Sequence, residues 1–315
     1  MFITGFKQNL TGIIGGVSIE TLKNLLIPLP PLAEQKRIVS KMAKLQPFIN
    51  EYTTKEQQAR ELNETFPDQL RKSILQYAVQ GKLVPQDPSD ELASTLLERI
   101  RAEKEQLIKE GKIKRNKHES VIYRRDNSHY EKIDGVERCI DDEIPFEIPE
   151  SWEWCRLGSI SNYVEKKKKI NARDANPSIW GLDLEDIEKG GRLLCKVSIG
   201  ERKSVGDKTV FSAGDVLYSK LRPYLLKILV APDDGICTSE IVPFHLYGSI
   251  SAAYVVMLLK SPYVDAKINS MTYGEKMPRV GTETMTSLLV PLPPYAEQER
   301  IIAKIDKLLR QIDFL

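Results

Sequence analysis

At 315 residues the chain is long enough to bury more than one core, so more than one domain is expected. Charged residues make up 29% of it, yet the formal net charge is only +2; no bulk basic excess argues for nucleic acid, and any such signal must be local. No run of about 18 apolar residues offers a membrane span, the first residues lack a signal-peptide layout, and Cys139, Cys155, Cys195 and Cys237 are scattered without a C-x-x-C pair, which argues against zinc and for free thiols in a reducing cytoplasm.

Residues 1–24 are short and Gly-rich (Gly5, Gly12, Gly15, Gly16) and cannot form a domain alone. Leu25 to Leu45 then reads LLIPLPPLAEQKRIVSKMAKL, and Leu288 to Leu308 reads LLVPLPPYAEQERIIAKIDKL; the two align without a gap. In each copy a short apolar run fits a strand end, and the prolines stop it. Ala33-Glu34-Gln35 then places a carboxylate in a helix's first turn, where the dipole favours it. Ile38, Met42, Leu45, Ile49 and Tyr52 follow at coiled-coil spacing, as do Ile301, Ile305, Leu308, Ile312 and Leu315. One copy alone reads as strand-to-helix punctuation; two in one register read as a duplicated module.

The first helix is expected from Ala33 to about Phe66; Pro47 inside it should kink it or break one hydrogen bond, and Thr65-Phe66-Pro67-Asp68 marks a second break or a helix restart with Pro near its first turn. Gln69 to Gln80 continues as an amphipathic helix with Gly81 as its C-cap. Asp87 to Asp90 offers caps for a third helix, Glu91 to Glu110, whose face carries Leu92, Leu96, Ile100 and Leu107 and which Gly111 ends. Lys112 to Arg125 is basic and polar and reads as a solvated linker in preference to a DNA-tracking tail.

Ile144 to Trp154, IPFEIPESWEW, reads as an extended lead-in to a second compact domain. Strand-like runs follow at Ser178–Leu182, Leu193–Ile199, Asp215–Ser219, Leu225–Val230 and Ile241–Leu246, with helices at Ile250–Leu259 and Tyr263–Ser270. That mixture is α+β. No phosphate-binding loop G-x-x-x-x-G-K-[ST] occurs, and no Asn/Asp-Pro-Pro-aromatic tetrapeptide of an amino-methyltransferase. The histidines His118, His129 and His245 have no ligand or triad spacing. The acidic run Asp183, Glu185, Asp186 and Glu188 reads as structural, because neighbouring carboxylates would diverge on a strand. Local basic and aromatic clusters remain. They give the DNA-contact candidates Lys166, Lys167, Lys168, Arg173, Arg202, Lys203, Tyr218, Lys220, Arg222, Lys276 and Arg279, since cations anchor phosphates and Arg, Lys, Asn and Ser read base edges. Thr238-Ser239-Glu240 is expected beside the Tyr218 to Lys227 cluster.

P-L-P-P-x-A-E-Q-x-R-I, at Pro28 to Ile38 and again at Pro291 to Ile301, resembles the signature of specificity (S) subunits of Type I restriction-modification enzymes. SILQYAVQGKLVPQ (Ser73 to Gln86) is similar to the segment after that family's first long helix, and GEKMPRVGTE (Gly274 to Glu283) to the tail of a target recognition domain. The resemblance covers nearly the whole chain. It implies an α+β protein with one mixed α/β target recognition domain and long antiparallel coiled-coil-like helices. The implied layout is 1–31, the remnant of a first recognition domain; 32–111, the long helical region; 112–143, the linker; 144–291, the recognition domain; and 292–315, the start of the second long helix. The family carries a whole first recognition domain where this sequence has residues 1–24, so a truncated product or a short-form subunit is expected.

The implied function is sequence-specific binding of double-stranded DNA without catalysis. Modification (M) and restriction (R) subunits would bring adenine methylation and ATP-dependent cleavage, with S-adenosylmethionine, ATP and Mg in those partners and no cofactor in this chain. A helix of about 34 residues would span roughly 50 Å, longer than one turn of B-DNA at about 34–36 Å, so it is long enough to space two half-sites. Ile38, Met42, Leu45, Ile49, Ile301, Ile305 and Leu308 are the candidate helix-pairing residues, within the chain or in a self-dimer. The competing reading is a helical scaffold that binds only protein partners, favoured by the near-zero net charge.

Overall fold

A computed structural model describes Lys23 and residues 28–115, 119–165 and 167–312; the expectations for residues 1–22, Asn24, Leu25–Ile27, Lys117, His118, Lys166 and Leu315 lie outside the described residues. Contacts divide the chain into two units, Met1–Thr65 and Phe66–Leu315. Among the described residues no helix is long and apolar enough to cross a membrane.

The first helix, α1 (Leu32–Val79), has 48 residues and runs through both Pro47, where the sequence suggested a kink or one lost hydrogen bond, and Pro67, where it suggested a break or restart. Each proline removes one bond to the carbonyl four residues back. Those carbonyls belong to Ala43 and Asn63, which are exposed, so water can take the lost bonds. The helix ends as its sequence suggests. Gly81 turns at φ +69°, and Lys82 N–H reaches the Tyr77 carbonyl at 2.9 Å. A Cβ at Gly81 would also stand 2.4 Å from Pro149, so only glycine fits. The next helix, α2 (Ala93–Lys109), buries Leu96, Leu97 and Ile100.

Residues 112–143, read as a linker, instead hold an antiparallel sheet of β1 (Val121–Arg125), β2 (Ser128–Ile133) and β3 (Val136–Cys139). Two-residue loops make both turns, Asp126-Asn127 (φ +51°, +64°) and Asp134-Gly135 (φ +54°, +81°). Paired positive φ values match the twist of a tight hairpin, and Asp-Gly is a strong hairpin signal. Tyr123 stacks opposite Tyr130, with the Arg125 guanidinium 4.2 Å from the Tyr130 ring centre.

The recognition region follows with β4 (Glu153–Arg156), α3 (Leu157–Ile160), β5 (Lys169–Asn171), β6 (Trp180–Leu182), α4 (Ile199–Arg202), β7 (Asp207–Phe211), β8 (Val216–Ser219), β9 (Ile228–Val230), β10 (Gly235–Cys237) and β11 (Ile241–Phe244). It closes with α5 (Ala252–Leu259), α6 (Pro262–Ser270), α7 (Thr282–Thr286), β12 (Leu289–Leu292) and α8 (Tyr295–Ile312). The strands form sheets in the orders β5-β7-β10-β6 and β11-β8-β9, and β12 pairs antiparallel with β4. The α+β expectation holds. Leu193–Ile199, expected as a strand, contributes only single bridges at Leu193 and Ser198 before α4 begins.

One apolar core joins the end of α1 (Ile74, Ala78) to α2, α5, α6 and α8. Ile301 and Ile305 are buried in it and Leu308 packs at its edge. By contrast Ile38, Met42, Leu45 and Ile49 are exposed, Met42 by 62%. The first apolar series thus lies on an exposed face of α1, while Ile301 and Ile305 of the second meet the recognition core.

The repeated A-E-Q-x-R string has a physical role at each polar position of α8. Glu297 is wholly buried and accepts the Trp152 indole N–H at 2.9 Å and the Gln86 amide at 2.7 Å. Gln298 donates to the Pro293 carbonyl at 3.0 Å and accepts from Ser251 N–H at 2.8 Å. Arg300 pairs with Asp90. In the first copy Gln35 makes the matching bond to the Pro30 carbonyl at 2.8 Å, so the two cassettes fold alike locally.

A second buried charge network fastens the β1–β3 sheet to the recognition region. Arg156 grips Glu131 with two bonds of 2.8 Å, reaches Glu143 at 2.7 Å, and donates to the Ser287 carbonyl at 2.7 Å. Arg138 also pairs with Glu131. Burial by itself would raise the Glu131 carboxyl, but donors from Arg156, Ser120 and Arg138 outweigh it and hold it at about 2. Because that lies below the ordinary 4.5, the stabilisation is fully present above about pH 4.5 and is lost as pH falls towards 2. Replacing Arg156 by Leu should lower the urea unfolding free energy at pH 7 by about 3 kcal/mol, since Glu131 stays buried with one guanidinium fewer. The gap to wild type should narrow between pH 4.5 and pH 3; a constant gap would show that the Glu131 charge is not what the arginine serves.

Candidate nucleic-acid interface

The cations named from the sequence fall into two kinds once their neighbours are placed. Some are consumed by the fold. Arg202 follows a capping box in which Ser198 and Glu201 start α4, and its guanidinium turns back to Asp186 at 2.6 Å and Glu185 at 2.9 Å. The acidic run it meets is a single 3₁₀ turn, Leu184–Asp186, closed by mutual capping of Asp183 and Asp186. Arg202 is thus a partly buried strut, not a free contact. Lys167 is half-buried and donates to Asn162, and burial brings its ammonium down to about 8. Lys227 donates to the Leu184 carbonyl at 2.7 Å.

Tyr218 is also corrected. It is 1% exposed, on the central strand β8 with β11 and β9 on its flanks. Val216, Leu217, Tyr218 and Ser219 are all buried, so this strand has no solvent face for any side chain. Burial drives the Tyr218 phenol well above its ordinary value. Lys168, Arg173 and Lys203 are exposed as a contact would require, Lys203 in the left-handed C-cap of α4 at φ +51°.

Two sequence clusters about fifty positions apart are brought together. Strand β8 leaves the core at Ser219, and Lys220, Leu221 and Arg222 run beside the segment ending at Val280. Arg222 N–H meets the Pro278 carbonyl at 2.8 Å, Val280 N–H meets the Lys220 carbonyl at 3.1 Å, and Lys220 N–H meets the Glu240 carbonyl at 3.0 Å. Tyr273 and Arg279 exchange both backbone bonds, at 3.0 and 2.9 Å. Arg279 spends its guanidinium on Glu240, with Nε and one terminal nitrogen each 3.1 Å from a carboxylate oxygen. Glu240 therefore does lie beside this cluster, and the Arg279 bonds, ahead of an opposing burial effect, hold its carboxyl below the ordinary range. Arg279 becomes a brace and not a displayed cation.

What this braced surface presents is Lys220, Arg222 and Lys276, with the rings of Tyr224 (46% exposed) and Tyr273 (59% exposed) among them. Cations with exposed aromatic rings can hold phosphates and stack or read bases. The tyrosine choice made from sequence was one turn too early. The distinguishing signal is local: Tyr218 follows Val216-Leu217 inside an apolar run, while Tyr224 follows Pro223 in a turn. A cavity of about 790 Å³ lies elsewhere, between the Glu131–Arg156 network and Thr282–Leu289, and shares none of these residues. Among the described residues no group of three or more His, Cys, Asp or Glu could hold a metal ion.

The family described as Type I restriction modification DNA specificity domain matches residues 5–63 and 149–315. The specificity subunit of Type I restriction enzyme EcoAI from Escherichia coli is 30% identical, over 98% of this chain and 58% of its own length. That of EcoEI, also from Escherichia coli, is 30% identical over 93% and 55% respectively. The chain thus spans a little over half the length of these curated relatives. Among solved structures, the HsdS subunit from Thermoanaerobacter tengcongensis is similar with a TM-score of 0.46 and 25% identity, over 54% of this chain and 45% of that one. A chain from a structure of the type I R-M system is similar with a TM-score of 0.43 and 17% identity, over 99% and 61%.

The two kinds of cation should separate in a paired measurement. Lys276→Ala should weaken DNA binding severalfold while leaving the thermal midpoint within about 1 °C, because Lys276 pairs with no carboxylate among the described residues. Arg202→Ala should do the reverse, costing about 3 kcal/mol of stability from the stranded Asp186 and leaving the affinity of the folded protein unchanged. Equal loss of affinity in both would return Arg202 to the contact surface.

Proposed function

We propose that this chain, which belongs to the Type I restriction modification DNA specificity family, binds double-stranded DNA and supplies sequence specificity to partner subunits that carry out the chemistry. The observation that carries the reading is the braced surface of Lys220, Arg222, Tyr224, Tyr273 and Lys276, built from two separate stretches of a recognition domain. Among the described residues Arg222 and Lys276 are exposed with no carboxylate paired to them and Lys220 is half-buried beside Glu240, while Arg202 and Arg279 are tied to carboxylates. A chain of net charge +2 can bind a polyanion this way, because the charge that matters is local and uncompensated. In this reading the partners are methylating and restricting subunits, and any S-adenosylmethionine, ATP and Mg would be theirs. The alternative, a helical scaffold binding proteins only, draws support from the exposed apolar stripe of α1.

Salt separates the two. Binding of labelled duplex by the chain together with its methylating partner should weaken by roughly tenfold or more between about 50 and 200 mM salt, since each phosphate contact contributes about −0.9 to the log–log slope. Absence of duplex binding at low salt, with the protein complex intact, would favour the scaffold.

The exposed series Ile38, Met42, Leu45 and Ile49 further supports pairing of α1 with a second copy, which would bring two recognition domains to one duplex. Apolar residues at heptad spacing are stable in water once they are covered. Light scattering should give the mass of two chains for the wild type and one for the Met42→Glu, Ile49→Glu double variant. A wild type that is monomeric with and without DNA sinks the pairing.

A further inference from the structure

The turn at Arg222 has features that a general phosphate contact does not need. Arg222 sits in the left-handed region, φ +49° and ψ +61°, directly before Pro223. A residue with a Cβ is strained there, and such strain persists only where the surroundings over-determine the conformation. Here they do. The Arg222 N–H is fixed to the Pro278 carbonyl at 2.8 Å and its own carbonyl accepts Leu225 N–H at 2.9 Å. Flanking Leu221 is bridged to Arg279, whose guanidinium is locked on Glu240. The backbone that launches the Arg222 side chain is thereby held from both strands and by an ion pair.

The side chain itself is uncommitted. Among the described residues of 144–291, Arg156, Arg192, Arg202 and Arg279 each pair with a carboxylate, while Arg173 and Arg222 do not. Of those two, Arg222 is the one whose backbone is cross-braced to a distant segment. Lys220 is two residues before it and Lys276 two residues before Pro278, whose carbonyl holds the Arg222 N–H, but a lysine is a point charge on a flexible stem, suited to a phosphate. A guanidinium is a planar fork that pairs with two acceptors at fixed spacing, and rigid placement matters to it far more.

We infer that Arg222 is a specificity-determining residue that reads a guanine edge in the major groove, with Lys220 and Lys276 holding the backbone on either side. The inference rests on the DNA-binding reading above. The O6 and N7 acceptors of guanine match the guanidinium fork, and an arginine contact of this kind discriminates bases where a phosphate contact does not. Arg279 and Glu240 are positioning residues for it: they fix the turn and touch no base.

The test is selection from a randomised duplex library by the full chain with its methylating partner, at several salt concentrations. Arg222→Gly removes the side chain yet accepts the left-handed turn without strain, and Arg222→Lys keeps the charge but not the fork. Both should lose preference for guanine at one target position by about tenfold to a hundredfold, with the salt slope unchanged. Lys276→Ala should keep every base preference, weaken all sequences alike and lower the slope by about one. The inference is overturned if the Arg222 variants weaken all sequences equally with the wild-type preferences intact. It falls together with the DNA-binding reading if the wild type selects no sequence at all, so the two failures are distinguishable.

Discussion

The recognition half of this chain is fastened by one buried carboxylate. Glu297 has no exposed surface, and an ionised carboxylate in such a place is costly unless its oxygens are taken. Trp152 and Gln86 take them, and Gln86 in turn accepts from the Ser151 hydroxyl at 2.8 Å. Three pieces far apart in sequence thus meet at one atom group: the start of α8, the segment after α1, and the lead-in to β4. Burial still pushes the Glu297 carboxyl upward, against the two donors. Arg300 with Asp90, and Gln298 with Ser251, fix the same helix end at further points.

From that joint the rest of the recognition region is positioned. β12 enters the cassette already paired with β4, and Tyr254 and Tyr263 donate to the carbonyls of Pro291 and Leu289 at 2.6 and 3.0 Å. β4 ends on Arg156, whose network with Glu131 and Glu143 holds the three-stranded sheet β1–β3. The other way, the core under α5 and α6 supports β8, and β8 delivers Lys220 and Arg222 to the surface. Among the described residues Arg156, Arg202 and Arg279 are each answered by a carboxylate, which leaves Arg222 and Lys276 as exposed cations in the loops. A near-neutral chain and a locally cationic surface are consistent for that reason.

Much was legible in the residues themselves. The duplicated cassette, the Gly81 stop, helix α2 and the α5–α6 pair depend on local rules: proline ending a strand, glycine accepting a positive φ, apolar residues at helical spacing. The β1–β3 sheet was also written locally, in Asp126-Asn127 and Asp134-Gly135, but the basic run around it pointed to a solvated linker. Charge composition there outweighed turn chemistry, and turn chemistry was the better guide. At Pro47 the loss of one hydrogen bond is the reading that fits, while at Pro67 the expected break or restart does not occur, because an exposed helix can hand a lost carbonyl to water and continue.

The sequence by itself determined where the helices and tight turns are, since those follow from backbone geometry and short-range spacing. Only the tertiary structure decided which cations are free. Arg202 and Arg279 look no different from Arg222 in the sequence; their carboxylates, Asp186 and Glu240, arrive from other segments. The same holds for the two apolar series, Ile301 and Ile305 meeting a core while Ile38 and Met42 face water. A side chain's partners are set by packing between distant segments, and no local rule contains them.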